Sequence, residues 1–225
     1  MKYKFQFSLF FLSLWLCLYL PVFASGFSIE SESEQSLDEK VRNFLDSHRY
    51  SWRDSNVSEK DGKFLYDIII KDNYKKALEI GTSTGRSGIW IAWALSKTGG
   101  KLITVEINER RYRQALANFK EAGLSDYIDA RLADAHELVP KLEGPFDFVF
   151  CDADKGWYKN YLIAVLPKLE VDGCFAAHNV YGRRGRHQPG IQEFVDYLES
   201  LPYMETTYNQ PGWAGFSISY KKAEK

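Results

Sequence analysis

Two aspartates and a lysine lie at the end of the most apolar of the predicted strands. Asp152 closes the apolar run of residues 146–152, and Asp154 and Lys155 come next. Carboxylates at the end of a buried strand need cations or hydrogen-bond donors close by. A lysine with a depressed pKa can take a proton from a hydroxyl, and a metal ion can lower the pKa of that hydroxyl. The group therefore indicates chemistry on a hydroxyl, with an ordinary helix N-cap as the alternative for one of the acids.

A glycine turn and a more distant glutamate form a second group. Gly81 and Gly85 follow a predicted strand, where glycine lets the backbone approach a ligand and a helix start offers free N–H groups. The Gly-x-x-x-Gly spacing differs from the Gly-x-Gly-x-x-Gly of dinucleotide folds, which argues against a nicotinamide dehydrogenase. Glu106 closes the next predicted strand, where an acid can bind a ribose diol. Together these residues favour an adenosine-containing ligand.

Alternating strand and helix patterns must position both groups. Apolar runs predict five buried parallel strands, at residues 76–80, 102–106, 127–132, 146–152 and 173–178. Helical patterns follow these runs, at residues 87–95, 109–122, 135–142, 158–169 and 191–201. Residues 203–208 and 215–220, joined by a Pro-Gly turn, predict an antiparallel hairpin at one edge of the sheet. We therefore predict an α/β, doubly wound, mostly parallel sheet with a C-terminal antiparallel hairpin, which binds ligands at the carboxyl ends of its strands.

Composition excludes several classes of protein. The chain has 225 residues, of which 45% are hydrophobic and 26% charged, so it is long and apolar enough for one globular domain. Its formal net charge of -1 gives no basic field that would hold nucleic acid, and no nucleic-acid partner is expected. Three cysteines are too few for a disulfide scaffold. Cys151 and Cys174, on neighbouring parallel strands, would be offset by about 10 Å, so we predict free thiols.

The beginning of the chain has the pattern of a secretory leader. Two lysines precede an uncharged apolar stretch that ends in Val-Phe-Ala, which predicts a signal peptide at residues 1–24. One alternative is an uncleaved membrane anchor, because residues 5–23 could just span a bilayer, and another is a core segment that has this pattern by coincidence. Residues 25–36 then read as a solvated linker and residues 37–225 as the functional domain. The signal peptide and the anchor both place that domain outside the cytoplasm, either exported or anchored, and membrane contact is expected only if the leader is uncleaved.

Several short motifs are more specific than the glycine turn alone. They are Glu79-Ile80-Gly81-Thr82-Ser83-Thr84-Gly85-Arg86-Ser87, Thr104-Val105-Glu106-Ile107-Asn108, Ala133-Asp134-Ala135 and Phe148-Val149-Phe150-Cys151-Asp152-Ala153-Asp154-Lys155, with Tyr158, Tyr161 and Asn179-Val180. Over residues 57–220 the sequence resembles the class I S-adenosylmethionine-dependent O-methyltransferases of the catechol and caffeoyl-CoA group. The resemblance implies a Rossmann-like methyltransferase sheet, S-adenosylmethionine as cofactor, a small hydroxylated acceptor and a homodimer.

The resemblance also implies roles for single residues. Residues expected around the methionine part of the cofactor and the turn are Val57, Glu79, Gly81, Thr82 and Ser87. Glu106 would take the ribose hydroxyls, and Ala135 would present its backbone to the adenine edge. Asp152 would lie near the sulfonium and also serve a metal, while Lys155 would be the base.

One position departs from the family's pattern. The family's metal site uses the first Asp of Asp-Ala-Asp and an Asp-Asn pair after the fifth strand, where this chain has His178 and Asn179. The expected metal ligands are therefore Asp152, His178 and Asn179. An imidazole in place of a carboxylate weakens Mg²⁺ binding, whereas Mn, Fe or Zn would tolerate it. A metal-free mechanism using His178 and Lys155, and a His178 that only packs, remain the alternatives.

The acceptor itself is not named by any motif. A basic segment, residues 183–187, is either a solvated loop or a pocket wall that favours an anionic acceptor. Three aromatic residues could stack on a phenolic ring or merely pack, namely Trp157, Tyr181 and Trp213. The predicted function is transfer of a methyl group to a hydroxyl of a small, aromatic acceptor. Because the cofactor is made in the cytosol, the alternative is a non-catalytic, exported nucleoside-binding or interaction protein on a methyltransferase scaffold.

Overall fold

A computed structural model describes residues 35–180, 189–212 and 214–223. The predictions for the leader, most of the linker, the basic segment, Tyr181 and Trp213 lie outside these residues. Within the described ranges, no helix is both long and apolar enough to cross a membrane.

Among the residues that the structure describes, seven strands form one sheet in the order β3-β2-β1-β4-β5-β7-β6. Five are mutually parallel, namely β1 (Lys76–Ile80), β2 (Lys101–Glu106), β3 (Ile128–Leu132), β4 (Phe146–Cys151) and β5 (Leu169–His178). The other two, β6 (Met204–Asn209) and β7 (Phe216–Lys221), are an antiparallel hairpin, and β7 pairs antiparallel with β5. The predicted doubly wound sheet with an edge hairpin is confirmed.

Seven α-helices cover the two faces of the sheet in the described part of the chain. They are α1 (Leu37–Ser47), α2 (Glu59–Asp72), α3 (Arg86–Thr98), α4 (Glu109–Glu121), α5 (Ala135–Lys141), α6 (Tyr158–Val165) and α7 (Pro189–Glu199). Helices α2 and α3 pack on one face, against side chains such as Phe148 and Phe150, and α1 and α4 pack with α3 in a neighbouring cluster on that side. Helices α5–α7 pack on the other, against Val149 and Cys151. Alternate residues of β4 thus enter opposite cores, which explains why this strand is apolar throughout.

Two element boundaries differ from the prediction by four residues, and the others differ by at most three. The helix predicted over residues 158–169 ends at Val165 and continues as a 3₁₀ turn, because Pro167 has no N–H to donate. Strand β5 begins at Leu169 rather than at residue 173, because Leu169 pairs with Phe146. Residues 170–172 are exposed, so no apolar pattern marked them as strand.

Both cysteines in the described ranges are free and buried, as predicted. Cys174 is in register with Phe148, three residues before Cys151 on β4. That offset separates the sulfurs along the strands. Burial raises the pKa of both thiols, so they are inert packing residues.

Candidate active site

The turn after β1 brings three strand ends together. Gly81 has a φ of 103°, and a Cβ added there would lie 2.7 Å from the carbonyl oxygen of Asp152. The N–H groups of Gly81 and Thr82 both donate to the carbonyl of Val105, at 3.1 Å. The N–H of Asp152 donates to the carbonyl of Ile80, at 2.9 Å. Only glycine combines this backbone angle with this close approach, so the turn fixes the ends of β1, β2 and β4 next to one another.

Glu106 lies at the end of β2 with its carboxylate held by backbone donors. Its side chain accepts hydrogen bonds from the N–H of Ser83, at 2.7 Å, and from the N–H of Asn108, at 2.8 Å. The residue is buried but faces a cavity of about 400 Å³. That cavity lies at the carboxyl ends of the strands, where the fold class predicts a ligand. Its lining includes Gly81, Ser83, Glu106, Ile107, Arg111, Ala135, His136, Asp152, Ala153, Asp154 and Tyr161.

The predicted cofactor residues divide into two sets. Gly81, Glu106, Ala135 and Asp152 line the cavity. The others are buried and do not line it, namely Val57, Glu79, Thr82 and Ser87.

Within the second set, hydrogen bonds connect Thr82 to Thr104 and Thr104 to Glu79. Burial raises the pKa of Glu79, while hydrogen bonds with Ser87 and Thr104 lower it. Burial is the larger effect, and the resulting pKa is about 8. Glu79 is therefore largely protonated at neutral pH.

Asp152 and Lys155 form an ion pair beside the cavity. The Lys155 ammonium pairs with Oδ1 of Asp152 and donates a hydrogen bond to the hydroxyl of Tyr158, at 2.7 Å. The Tyr158 hydroxyl in turn donates to the carbonyl of His178, at 3.1 Å. Burial raises the pKa of Tyr158 well above its usual range, so this phenol is neutral and serves to orient Lys155.

His178 ends β5 between two carboxylates. Its Nδ1 lies 3.1 Å from Oδ2 of Asp152, and its Nε2 lies 3.7 Å from Oδ2 of Asp61. Burial lowers the pKa of His178, but the two aspartates outweigh burial and raise it above the ordinary value. Burial raises the pKa of Asp152, while Lys155 and His178 lower it, and the net effect is a lowered pKa.

Asp61 is a site residue that the sequence did not reveal. It is fully buried on α2, where it forms a capping box with Ser58, the N-cap of that helix. The Ser58 hydroxyl donates to Oδ2 of Asp61 at 2.6 Å. Burial raises the pKa of Asp61, but the opposing effects of His178 and Ser58 are larger together. The net effect is a lowered pKa, so the carboxylate is ionised. A Ser-x-x-Asp sequence is fully explained by helix capping, and nothing in it signals a contact with β5.

These side chains do not fit the divalent metal expected from the family. One oxygen of Asp152 is engaged by Lys155 and the other by His178. No group of three or more His, Cys, Asp or Glu residues suited to a metal occurs within the described ranges. Asn179 follows His178 in a left-handed conformation, with a φ of 58°. The described residues around Asp152 therefore do not form a site suited to a divalent metal.

Asp154 and His136 line the cavity, and Trp157 packs against His136. Oδ1 of Asp154 accepts from the N–H of Gly156 at 2.9 Å, so this acid caps a short 3₁₀ helix. His136 lies 3.5 Å from both Asp134 and Asp154. Trp157 stacks on His136 with ring centroids 4.0 Å apart. Trp157 is partly exposed, and its role beside an acceptor ring stays a prediction.

Comparison with known proteins assigns the family. A model of the O-methyltransferase family matches residues 28–186. The chain belongs to the O-methyltransferase family. The family predicted from the sequence motifs is thus confirmed.

Two relatives have named activities. A catechol O-methyltransferase of Niastella koreensis is 40% identical over 128 residues, which are 55% of this chain and 58% of that protein. Caffeoyl-CoA O-methyltransferase 1 of Eucalyptus globulus is 33% identical over 136 residues, 58% of this chain and 55% of that protein. This chain therefore matches less than two thirds of the length of either relative. Neither match supports the non-catalytic alternative.

Two solved structures resemble the fold over most of its length. An O-methyltransferase of Bacillus cereus in complex with S-adenosylhomocysteine has a TM-score of 0.70 and 27% identity, covering 86% of this chain and 94% of that one. TomG of Streptomyces achromogenes, an O-methyltransferase in complex with S-adenosylmethionine, has a TM-score of 0.68 and 25% identity, covering 84% and 92%. The Rossmann-like methyltransferase architecture is confirmed by these similarities.

Proposed function

We propose that this protein transfers the methyl group of S-adenosylmethionine to a hydroxyl of a small aromatic acceptor. One observation carries the proposal: a single cavity joins Glu106, at the end of β2, to Asp152, which is paired with Lys155. The cofactors in the two similar structures support the donor. The names catechol and caffeoyl-CoA, both hydroxylated aromatics, support the class of acceptor.

The geometry of Glu106 suits a ribose. A carboxylate has about four lone-pair sites, and the N–H groups of Ser83 and Asn108 use two of them. The remaining sites can accept from the two ribose hydroxyls. Ala135, at the first turn of α5, borders the same cavity and would present its backbone to the adenine. Asp152 would then lie near the positively charged sulfonium.

The chemical step is a displacement at the methyl carbon. The acceptor oxygen forms the new C–O bond while the C–S bond breaks, and the electron pair of that bond stays on sulfur, giving S-adenosylhomocysteine. The hydroxyl proton passes to the amine of Lys155, which acts as the base, and leaves from there to solvent. The side chain of Lys155 is 20% exposed, which gives that proton a route out. Asp152 and Tyr158 hold the lysine in place for this transfer.

A methyl-transfer assay with labelled S-adenosylmethionine and a panel of phenols and hydroxylated aromatic acids tests the proposal. Replacing a positioned general base lowers kcat by about 100-fold or more, so Lys155→Ala should do so while changing cofactor affinity by less than about threefold. Lys159→Ala is the matched control, because Lys159 pairs with Glu193 and does not line the cavity. Full activity of Lys155→Ala, or no transfer to any hydroxyl, would contradict the proposed function.

A further inference from the structure

Helix α7 packs closely against the short 3₁₀ helix Lys155–Trp157. Gly190 lies in the first turn of α7, and a Cβ added there would be 2.6 Å from Cα of Gly156 and 2.7 Å from the carbonyl oxygen of Lys155. Carbon atoms in ordinary contact are about 3.5–4.0 Å apart, so a side chain at residue 190 would push the two backbones roughly 1 Å apart. Only glycine lets α7 lie this close to Lys155.

The local structure of α7 does not itself require a glycine at residue 190. Glycine is the least favourable residue inside a helix apart from proline. Gly190 is helical and is not one of the residues with a positive φ, so an alanine could adopt the same backbone angles. The physical reason for this glycine is therefore the close approach to Lys155 and Gly156.

A second contact from α7 reaches the side chain that orients Lys155. Phe194 follows Gly190 by four residues, which places both on the same side of the helix. Its ring lies edge-on to the ring of Tyr158, with centroids 5.6 Å apart and an angle of 87°. The Tyr158 hydroxyl accepts a hydrogen bond from the Lys155 ammonium at 2.7 Å. Helix α7 thus contacts both the backbone of Lys155 and the hydrogen-bond partner of its side chain.

An ion pair between α6 and α7 adds little to this packing. Lys159 lies 2.8 Å from Glu193, but both side chains are partly exposed to water. Exposed ion pairs contribute little to stability, because water screens the charges. The buried ring contact and the backbone contact at Gly190 therefore determine how closely α7 holds the 3₁₀ helix.

Building on the methyl-transfer function above, we propose that α7 positions the base through Gly190, which sets how far the amine of Lys155 lies from the acceptor hydroxyl. A general base must lie within hydrogen-bond reach of the proton that it takes. A misplacement of about 1 Å can lower a rate about 100-fold. Gly190 does not line the cavity, so it is a positioning residue that acts through Lys155.

The variant Gly190→Ala tests the proposal in the methyl-transfer assay. Its kcat should fall about 10-fold or more, while its affinity for S-adenosylhomocysteine should change by less than about threefold. Gln192→Ala is the matched control, because Gln192 is an exposed residue of the same helix, and it should leave both quantities unchanged. An unchanged kcat in Gly190→Ala would overturn the proposal.

A double variant separates positioning of Lys155 from a general defect. The labelled methyl group makes the reduced rate of Lys155→Ala measurable. In that background, Gly190→Ala should lower kcat by less than about twofold, because no base is left to be displaced. A loss as large as in the wild-type background would show that Gly190 acts by another route, which would refute the proposal.

Hydrogen exchange tests the same contact without turnover. The N–H of Trp157 donates to the carbonyl of Asp154 at 3.0 Å, within the 3₁₀ helix that Gly190 contacts. Mass spectrometry of the full chain should show this amide exchanging at least about threefold faster in Gly190→Ala but not in Gln192→Ala. Equal exchange in the wild type and Gly190→Ala would contradict the proposal whether or not an acceptor is known. Failure of the methyl-transfer function would appear instead as absent turnover or cofactor binding in the wild type.

Discussion

At the scale of single residues, Asp152 belongs both to the lining of the cavity and to the polar network that contains Lys155 and His178. It lines the cavity that joins it to Glu106, and its two oxygens are engaged by Lys155 and His178. The sequence motif located Asp152 and Lys155 because charged side chains at the end of a buried strand are costly unless they are paired or have a chemical role. The same reasoning could not find Asp61, because its contact with His178 joins α2 to β5 and leaves no pattern in either segment.

Glu79 should make the stability of the protein depend on pH. Its pKa is raised from 4.5 to about 8 in the folded chain, mainly by burial, so the folded state keeps a proton that the unfolded state releases. That contribution is present below pH 4.5 and is lost as the pH rises towards 8, at roughly 1 kcal/mol per pH unit. Glu79→Gln keeps the acceptor for Thr104 and does not titrate.

The measurement is denaturant unfolding of wild type and Glu79→Gln between pH 5 and pH 9. The free energy of unfolding of the wild type should fall relative to the variant up to about pH 8 and then level off. A constant difference across this range would show that Glu79 is ionised in the fold.

At the scale of elements, the turn after β1 organises the site. Gly81 lets the end of β1 approach the end of β4, and α3 begins directly after the turn. The strand and helix periods predicted these elements with small errors at their ends. The extension of β5 to Leu169 was missed because pairing with Phe146, and not side-chain pattern, creates it.

Gly81→Ala should damage both stability and cofactor binding. The new Cβ would lie 2.7 Å from the Asp152 carbonyl, at a φ of 103°, so strand ends must separate. We expect a loss of about 2 kcal/mol or more in the free energy of unfolding, with weaker binding of S-adenosylmethionine. Thermal unfolding and calorimetry measure the two effects.

Gly99→Ala is the matched control for this variant. Gly99 also has a positive φ, of 77°, but nothing lies within 4 Å of an added Cβ. The Gly99→Ala variant should lose only the free energy of unfolding that comes from backbone strain, about 1 kcal/mol, and its affinity for the cofactor should not change. Equal losses in the two variants would mean that the approach to Asp152 is unimportant.

At the scale of the whole molecule, the alternation of strands and helices was enough to predict the sheet and its edge hairpin, and the cavity lies at the end of the strands where a ligand was predicted. The insertion of β7 between β5 and β6 was not predicted, because the order of strands in a hairpin depends on pairing across the sheet. The polar network from Asp61 to Lys155 likewise exists only once α2, β4 and β5 are assembled.

The leader gives a prediction about the mature chain. We propose that residues 1–24 are removed and that the domain functions outside the cytoplasm, because a basic start, an apolar core and a Val-Phe-Ala end are typical of a signal peptide. N-terminal sequencing of the protein from a secreting host should begin at Ser25. Recovery of an intact N-terminus in the cytosolic fraction would contradict it.

The most direct measurement is calorimetric titration of S-adenosylmethionine into the full chain. The wild type should bind one equivalent saturably. Glu106→Ala should weaken binding about tenfold or more, a change of about 1.4 kcal/mol, because the ribose loses its carboxylate. Glu109→Ala, which removes an exposed acid three residues away that pairs with Arg113, should bind like the wild type. Absence of saturable binding at millimolar cofactor, or equal affinity in Glu106→Ala, would contradict a methyl donor bound between Glu106 and Asp152.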